Sequence, residues 1–261
     1  MQNMLNFPLA IIIFIFGSFI GSFINVCIYR LPSSKSITRP SRSVCPSCDT
    51  PIPFYDNIPI LSYFLLKGRC RSCDAAISFR YLLVEVMSGM VALIVLFTFG
   101  LTLEGLVYFA FISSLLVITF IDIDHKIIPD VITLPGIPLG ILASFALPAV
   151  TLKDSSLGLL LGGGSLLVVA WTYNLITKKD GMGGGDIKLL AMMGTIIGWK
   201  GVIFTIFASS AVGTLIGVTV MLAKGKDMKF AVPFGPFLSI GAITYIFFGQ
   251  KVIYWYFNLL V

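Results

Sequence analysis

Long apolar runs broken by short polar interruptions dominate the chain. They lie near 8–28, 81–99, 104–122, 131–149, 157–176, 187–199, 201–223 and 232–258. A helix needs ~20 apolar residues to cross the hydrocarbon core of a bilayer, and several runs approach that length. A membrane β-barrel would show short alternating segments instead. The pattern predicts an all-α polytopic membrane protein with about eight transmembrane helices. Its weakest division is around Trp199–Gly201, because the run before it is short. The first run has no basic residue before it and ends at Arg30 without a small-residue cleavage site. It therefore reads as a retained span and not as a signal peptide.

Composition strengthens this picture. Hydrophobic residues make up 57% of the chain and charged residues 11%, with a mean hydropathy of +0.98. Soluble domains carry ~25% charged residues. The few charges are also unevenly placed. With the N-terminus outside, fifteen of the eighteen Lys and Arg fall on one side, in 29–80 and in the loops near 122–130, 177–188 and 224–230. Lys153, Lys200 and Lys251 fall on the other. Positive loops stay in the cytoplasm, so the net charge of +6 is a topology signal. Attraction to anionic headgroups follows from it, and no nucleic-acid partner is needed to explain it. The expected setting is a bacterial inner membrane crossed many times. The expected organisation is a first span at 1–28, a cytoplasmic segment at 29–80 and a membrane-embedded core at 81–261. No internal repeat is evident.

A cytoplasmic segment of about fifty residues is too small to hold itself together on apolar burial and calls for a staple. Cys45-Pro-Ser-Cys48 and Cys70-Arg-Ser-Cys73 supply one. Two C-x2-C pairs can close a tetrahedron around Zn2+, and four protein ligands make such a metal structural. Two disulfides, four free thiols or an iron–sulfur centre are the alternatives, and a reducing cytoplasm disfavours the first. Lys67, Arg69 and Arg71 stand beside the second pair, where positive charge lowers thiol pKa values. Cys27, inside the first span, is expected to pack as a small apolar residue.

Only twelve acidic residues serve the whole chain, so their places are informative. Asp122 and Asp124 end the third run, followed by His125 and Asp130; Asp186 follows Gly183-Gly184-Gly185 after the fifth run. Asp122 and Asp186 fall at one membrane depth, where a bundle can bring them face to face. Carboxylates that share a site cannot easily both ionise. One can then polarise a carbonyl while the other takes a proton from water, which is aspartic peptide hydrolysis. Glycines before Asp186 allow close backbone approach to an extended substrate. Against this, an Asp at a helix end is commonly a cap, and Asp186 has the placing of one. Asp124 and Asp130 compete with Asp122 for the role. The phosphate-binding spacing G-x4-G-K-[ST] is absent, and a single histidine, His125, supports no Ser/His/Asp triad.

Taken together, these segments resemble the type IV prepilin peptidases, within the G-x-G-D intramembrane aspartic proteases. Gly183–Asp186 matches the G-x-G-D motif, and Phe120-Ile-Asp122-Ile-Asp124 with Ile128-Pro129-Asp130 is similar to the first catalytic segment. Gly21 to Pro32, Asn57 to Tyr63, the cysteine pairs and Ile77 to Glu85 resemble the N-terminal signature and cytoplasmic domain. The likeness spans most of 15–90 and 118–200, with Leu82 standing where the family commonly has Pro.

The resemblance implies that Asp122 and Asp186 are catalytic, with Gly183, Gly185 and Asp124 supporting the loop. It implies type IV prepilin or pseudopilin substrates, cut after the Gly that ends a short basic leader. It also implies N-methylation of the new N-terminus with S-adenosylmethionine, associated with the cysteine-bearing segment. No G-x-G-x-x-G follows a plausible strand, so the sequence does not place the methyl donor. Glu85 is a candidate, since an acid near the start of a span is costly. It can equally pair with Arg80 as an anchor. Asp124, Asp130 and Asp180 can attract a basic leader. Asn25, Arg30 and Asn57 belong to matched segments without individual roles. The rival readings are a transporter, which predicts carboxylates near the bilayer midplane, and a zinc-organised scaffold without chemistry.

Overall fold

The structure is a computed structural model and describes residues 2–39, 42–178, 183–224 and 233–259. Among these, eight α-helices form and no strand does: α1 Gln2–Arg30, α2 Leu61–Leu65, α3 Phe79–Phe99, α4 Leu103–His125, α5 Asp130–Ala143, α6 Leu152–Thr177, α7 Gly184–Lys224 and α8 Gly235–Leu259. Five of them (α1, α3, α4, α6 and α7) are long and apolar enough to cross a membrane, and the described parts of α5 and α8 are shorter apolar helices. Large side chains such as Phe97, Leu160, Trp171 and Phe207 are exposed, as lipid-facing residues are. The chain is a helical membrane protein.

Two boundaries differ from expectation for local reasons. The run near 131–149 is helical only to Ala143. Turns at Phe145 and Ala146 follow, and Pro148 cannot rejoin the helix ladder. The two runs at 187–199 and 201–223 are two helical arms of α7 that meet at a kink at Gly198, one residue before the expected division, where the backbone (φ 69°, ψ 176°) is open to glycine and poor for other residues. Asp154 stabilises the break. It completes a capping box with Thr151 at the start of α6 and accepts a hydrogen bond from Trp199 Nε1 at 3.1 Å.

The chain divides into two compact units, Met1–Val117 and Ile118–Val261. In the first, α1 lies along α3. The contact is made by small residues: a Cβ on Gly17 would stand 2.6 Å from Ala92 Cβ, and one on Gly21 2.7 Å from Glu85 Cα. In lipid, where water does not drive helices together, such close approach supplies the packing energy. In the second unit, α5, α6 and α8 all pack on α7. Gly136 and Gly140 of α5 meet Met192 and Thr195, while Gly158 and Gly162 of α6 meet the backbone at Gly194 and Leu190. The first arm of α7 is consequently buried at every residue from 189 to 198. Asp186 lies at the N-terminal end of this sheathed arm.

Candidate active site and metal centre

In the second unit, Asp122 and Asp186 come together. Asp122 occupies the last turn of α4 and is 5% exposed. Asp186 occupies the first turn of α7 and is half-buried. The two carboxylates lie within electrostatic reach of each other. Asp124, two residues along α4, is exposed with His125. Helical periodicity thus separates the two candidate acids of the first segment: Asp122 faces inward and Asp124 outward.

The start of α7 is held against the 128–130 segment from two directions. Lys188 Nζ donates to both Asp130 oxygens, at 2.8 and 2.7 Å, which commits Asp130 to a structural pair. Gly185 sits against Ile128, where a Cβ would stand 2.9 Å from Ile128 Cβ. Gly184 meets nothing within 4 Å, and a Cβ on Gly183 would only touch Asp186 at 3.9 Å. Of the three glycines, packing demands only Gly185. Asp180 lies outside the described residues.

One member of the site is absent from the sequence reading. The backbone N–H of Gly235, at the start of α8, donates to Asp122 Oδ2 at 2.9 Å. A Cβ on Gly235 would stand 2.7 Å from that oxygen, so a side chain there would displace the carboxylate. Ser209 on the second arm of α7 donates to Phe237 O at 2.9 Å and fixes the start of α8. The available signal was Pro233-Phe-Gly-Pro236, a helix start with Pro at its first turn.

In the first unit, the four cysteine sulfurs of Cys45, Cys48, Cys70 and Cys73 lie within 4.8 Å of one another and can hold a metal ion. They sit on two knuckles with the same hydrogen-bond pattern. Cys45 N donates to Thr50 O and Asp49 N to Cys45 O; Cys70 N donates to Ala75 O and Asp74 N to Cys70 O. Asp49 (φ 53°) and Asp74 (φ 58°) turn each knuckle at the equivalent place. The sequence does contain a short repeat, Cys-x-Ser-Cys-Asp, at 45–49 and 70–74. Hydrogen bonds with Thr50 pull the Cys48 thiol down to about 6, and the N–H groups of Ser72 and Cys73 lower Cys70. The knuckles' own groups thus act as expected of Lys67, Arg69 and Arg71 at these two sulfurs, whereas at Cys73 the Ala75 N–H is outweighed by the neighbouring thiols, which push it up to about 12. Arg71 instead forks onto Asp56, with both bonds at 2.7 Å, tying the second knuckle to a 3-10 turn at Phe54–Asn57.

Other residues of the N-terminal segments also gain roles. Buried Arg30 donates to the carbonyls of Ser36, Ile37 and Arg42 and gathers the loop after α1. Asn25 donates to Tyr81 O at 3.0 Å, joining α1 to α3. Glu85 does not pair with Arg80. Its Oε2 accepts the Ile60 N–H at 2.7 Å, and Ser22 hydrogen-bonds the same carboxylate. Cys27 packs as a buried free thiol.

A helical membrane protein whose two interacting aspartates close neighbouring helix ends, one of them in Gly-x-Gly-Asp, has the make-up of a membrane-embedded aspartic peptidase. Comparison with known proteins narrows the class. Residues 15–99 match the bacterial peptidase A24 N-terminal domain, and residues 109–218 match the type IV leader peptidase family. The chain is 36% identical to a prepilin leader peptidase/N-methyltransferase of Pseudomonas putida, over 91% of this chain and 90% of that one. It is 34% identical to one of Pseudomonas aeruginosa, over 94% and 93%, and 36% identical to one of Neisseria gonorrhoeae, over 89% and 87%. No solved structure matches it significantly. The chain belongs to the prepilin leader peptidase/N-methyltransferase family.

Proposed function

We propose that this chain removes the leader from type IV prepilins or pseudopilins at the cytoplasmic face of a bacterial inner membrane, then methylates the new N-terminus. The interaction of Asp122 with Asp186 at adjoining helix ends carries the peptidase reading. Asp122 has one oxygen occupied by the Gly235 N–H, which orients the other toward a water molecule. Asp122 takes a proton from that water as it attacks the scissile carbonyl. Asp186 donates a proton to the carbonyl oxygen; as the resulting diol collapses, Asp122 passes its proton to the leaving amine and Asp186 regains one from a diol hydroxyl, so the dyad ends where it began. Burial of Asp122 excludes bulk water that would weaken these contacts.

The location fits the substrate. A prepilin presents an apolar helix to the bilayer and a basic leader to the cytoplasm, and the cut falls between them. The excess of Lys and Arg in 29–80 and the loops supports placing this end of the bundle inside. Asp130 is paired to Lys188, which partly neutralises its charge toward the leader. The relatives' names support the second activity, whose methyl donor is S-adenosylmethionine.

Zinc is the metal that suits the cysteine cluster. Four thiolates 2.3 Å from one zinc stand about 3.8 Å apart, and Cys45 and Cys73 sulfurs are 3.9 Å apart. The donor set is all sulfur and leaves no open position, so the ion would hold the two knuckles and take no part in chemistry.

The decisive experiment is prepilin cleavage in membranes carrying Asp122→Asn or Asp186→Asn. Loss of cleavage with normal insertion is expected for both. Full cleavage by either would remove that residue from the dyad.

A further inference from the structure

Within the first unit lies a cavity of about 470 Å³, bounded by α1, α3, the two knuckles and the 57–63 segment. This volume is in the ~300–1,000 Å³ range of small-molecule sites. Asn25, Tyr81, Glu85, Cys45 and Cys70 are among its walls. Arg30, Arg71 and Arg80 also border it. The guanidinium groups of Arg30 and Arg71 are engaged by loop carbonyls and by Asp56, and Arg80 is likewise engaged. Glu85 is different. Its half-buried carboxylate accepts the Ile60 N–H and is hydrogen-bonded by Ser22, and among the described residues no ion pair to a Lys or Arg reaches it. A carboxylate drawn from water without a cation is costly and favours a cationic occupant.

The backbone is strained to keep it so. Ile60, which donates the N–H, has φ 65° and ψ −55°. A β-branched residue rarely adopts that region, and such strain gathers at binding sites. On the other side, Gly21 lets α1 approach α3 at Glu85 itself, which brings Ser22 within reach.

We infer that this cavity holds S-adenosylmethionine, with Glu85 as counter-charge to its cationic methionine portion. The inference rests on the methyl-transfer reading above and adds where that reaction occurs. The sulfonium group supplies an activated methyl when bound. The neutral α-amine of the cut substrate attacks the methyl carbon; an N–C bond forms and the C–S bond breaks. Sulfur keeps the bonding pair as a neutral thioether, and the methylated amine loses its extra proton to water. The sharing of Cys45 and Cys70 between cavity wall and metal cluster gives the metal a reason to be here: it fixes the shape of one wall.

Isothermal titration of the full-length protein in detergent with S-adenosylmethionine tests the site without requiring turnover. Wild type should bind, and Glu85→Gln should weaken binding at least about tenfold, as removal of one member of a buried charge pair does. Val26→Trp, which fills the cavity from α1, should abolish it. Both variants are scored only if they elute as wild type does and retain the metal. If either fails that control, ultraviolet cross-linking of labelled S-adenosylmethionine to wild type decides, with label expected on peptides within residues 22–85. Affinity within twofold of wild type in both variants, or label confined to residues 118–261, would overturn the location. A wild type that cleaves prepilin but binds no S-adenosylmethionine would overturn the methyl-transfer reading, and this inference with it.

Discussion

Glu85 in the first unit and Asp122 in the second each sit near one end of an apolar helix, and each accepts a hydrogen bond from a backbone N–H at the start of another helix. Ile60 serves Glu85 at 2.7 Å, and Gly235 serves Asp122 at 2.9 Å. The charged neighbours differ. Asp122 has a second acid within electrostatic reach, whereas Glu85 has an open cavity. Two acids that interact can divide a proton between them and run acid–base chemistry. One acid beside an empty volume can only compensate a charge that arrives. The same support from a backbone amide therefore serves two ends, set by what lies beyond the carboxylate.

The largest expected effect breaks the first half of this comparison. Asp122→Asn or Asp186→Asn should lower leader cleavage by ~10²–10⁴-fold, the usual worth of a positioned acid or base. S-adenosylmethionine affinity, measured in the same preparations, should be unchanged. A parallel loss of binding would show that the two acid sites are not independent.

Next in size is Gly235→Ala. The added Cβ would stand 2.7 Å from Asp122 Oδ2, so the carboxylate must swing away. A displacement of ~1 Å costs about 10²-fold in rate. Cleavage kinetics should show the loss in kcat with KM little changed. A variant as active as wild type would remove the amide from the mechanism.

Metal removal sharpens the other half. Wild type should carry about one equivalent of zinc, and Cys45→Ser with Cys70→Ser should eliminate it, measured by elemental analysis. Methylation of the processed N-terminus, read by mass spectrometry, should fall at least about tenfold because metal binding supplies the folding energy of that wall. Cleavage should change less than about threefold, since the four-sulfur site holds no position open for chemistry. Equal loss of both activities would mean that the metal supports the whole protein and not one cavity.

These contrasts also mark what sequence can and cannot carry. Asp122, Asp186 and the four cysteines were legible because their residue types are rare here and their spacings are short. The choice of Asp122 over Asp124 needed only helical periodicity once α4 was known to continue through both. Gly198 was nearly found: the expected break at Trp199–Gly201 lies one residue beyond it. The partners Gly235 and Ile60 were not legible, because each contributes a backbone N–H that almost any residue possesses. Only the fold reveals which amide points at an acid. The strain at Ile60 hides for the same reason, since isoleucine gives no hint of a positive φ. The Cys-x-Ser-Cys-Asp repeat was visible in the sequence. Its meaning came from the shared hydrogen bonds and the matching turns at Asp49 and Asp74.

The smallest expected effects lie in the three glycines before Asp186. They look equivalent in sequence, yet a Cβ on Gly185 would meet Ile128 Cβ at 2.9 Å while one on Gly184 would meet nothing within 4 Å. Gly185→Ala must push α7 away from the 128–130 segment and tilt Asp186 with it. Part of that movement is resisted by the exposed Lys188–Asp130 pair, although surface pairs contribute only ~0–1 kcal/mol. Overpacking of this kind costs ~1–3 kcal/mol, so a drop of roughly fivefold to a hundredfold in cleavage is expected. Gly184→Ala has neither a clash nor a left-handed backbone to oppose it and should cleave within about twofold of wild type, less than the 1.4 kcal/mol that a tenfold change represents. If Gly184→Ala were the more damaging of the two, the middle glycine would be reserved for substrate backbone passing over it, and the packing account of the motif would fail.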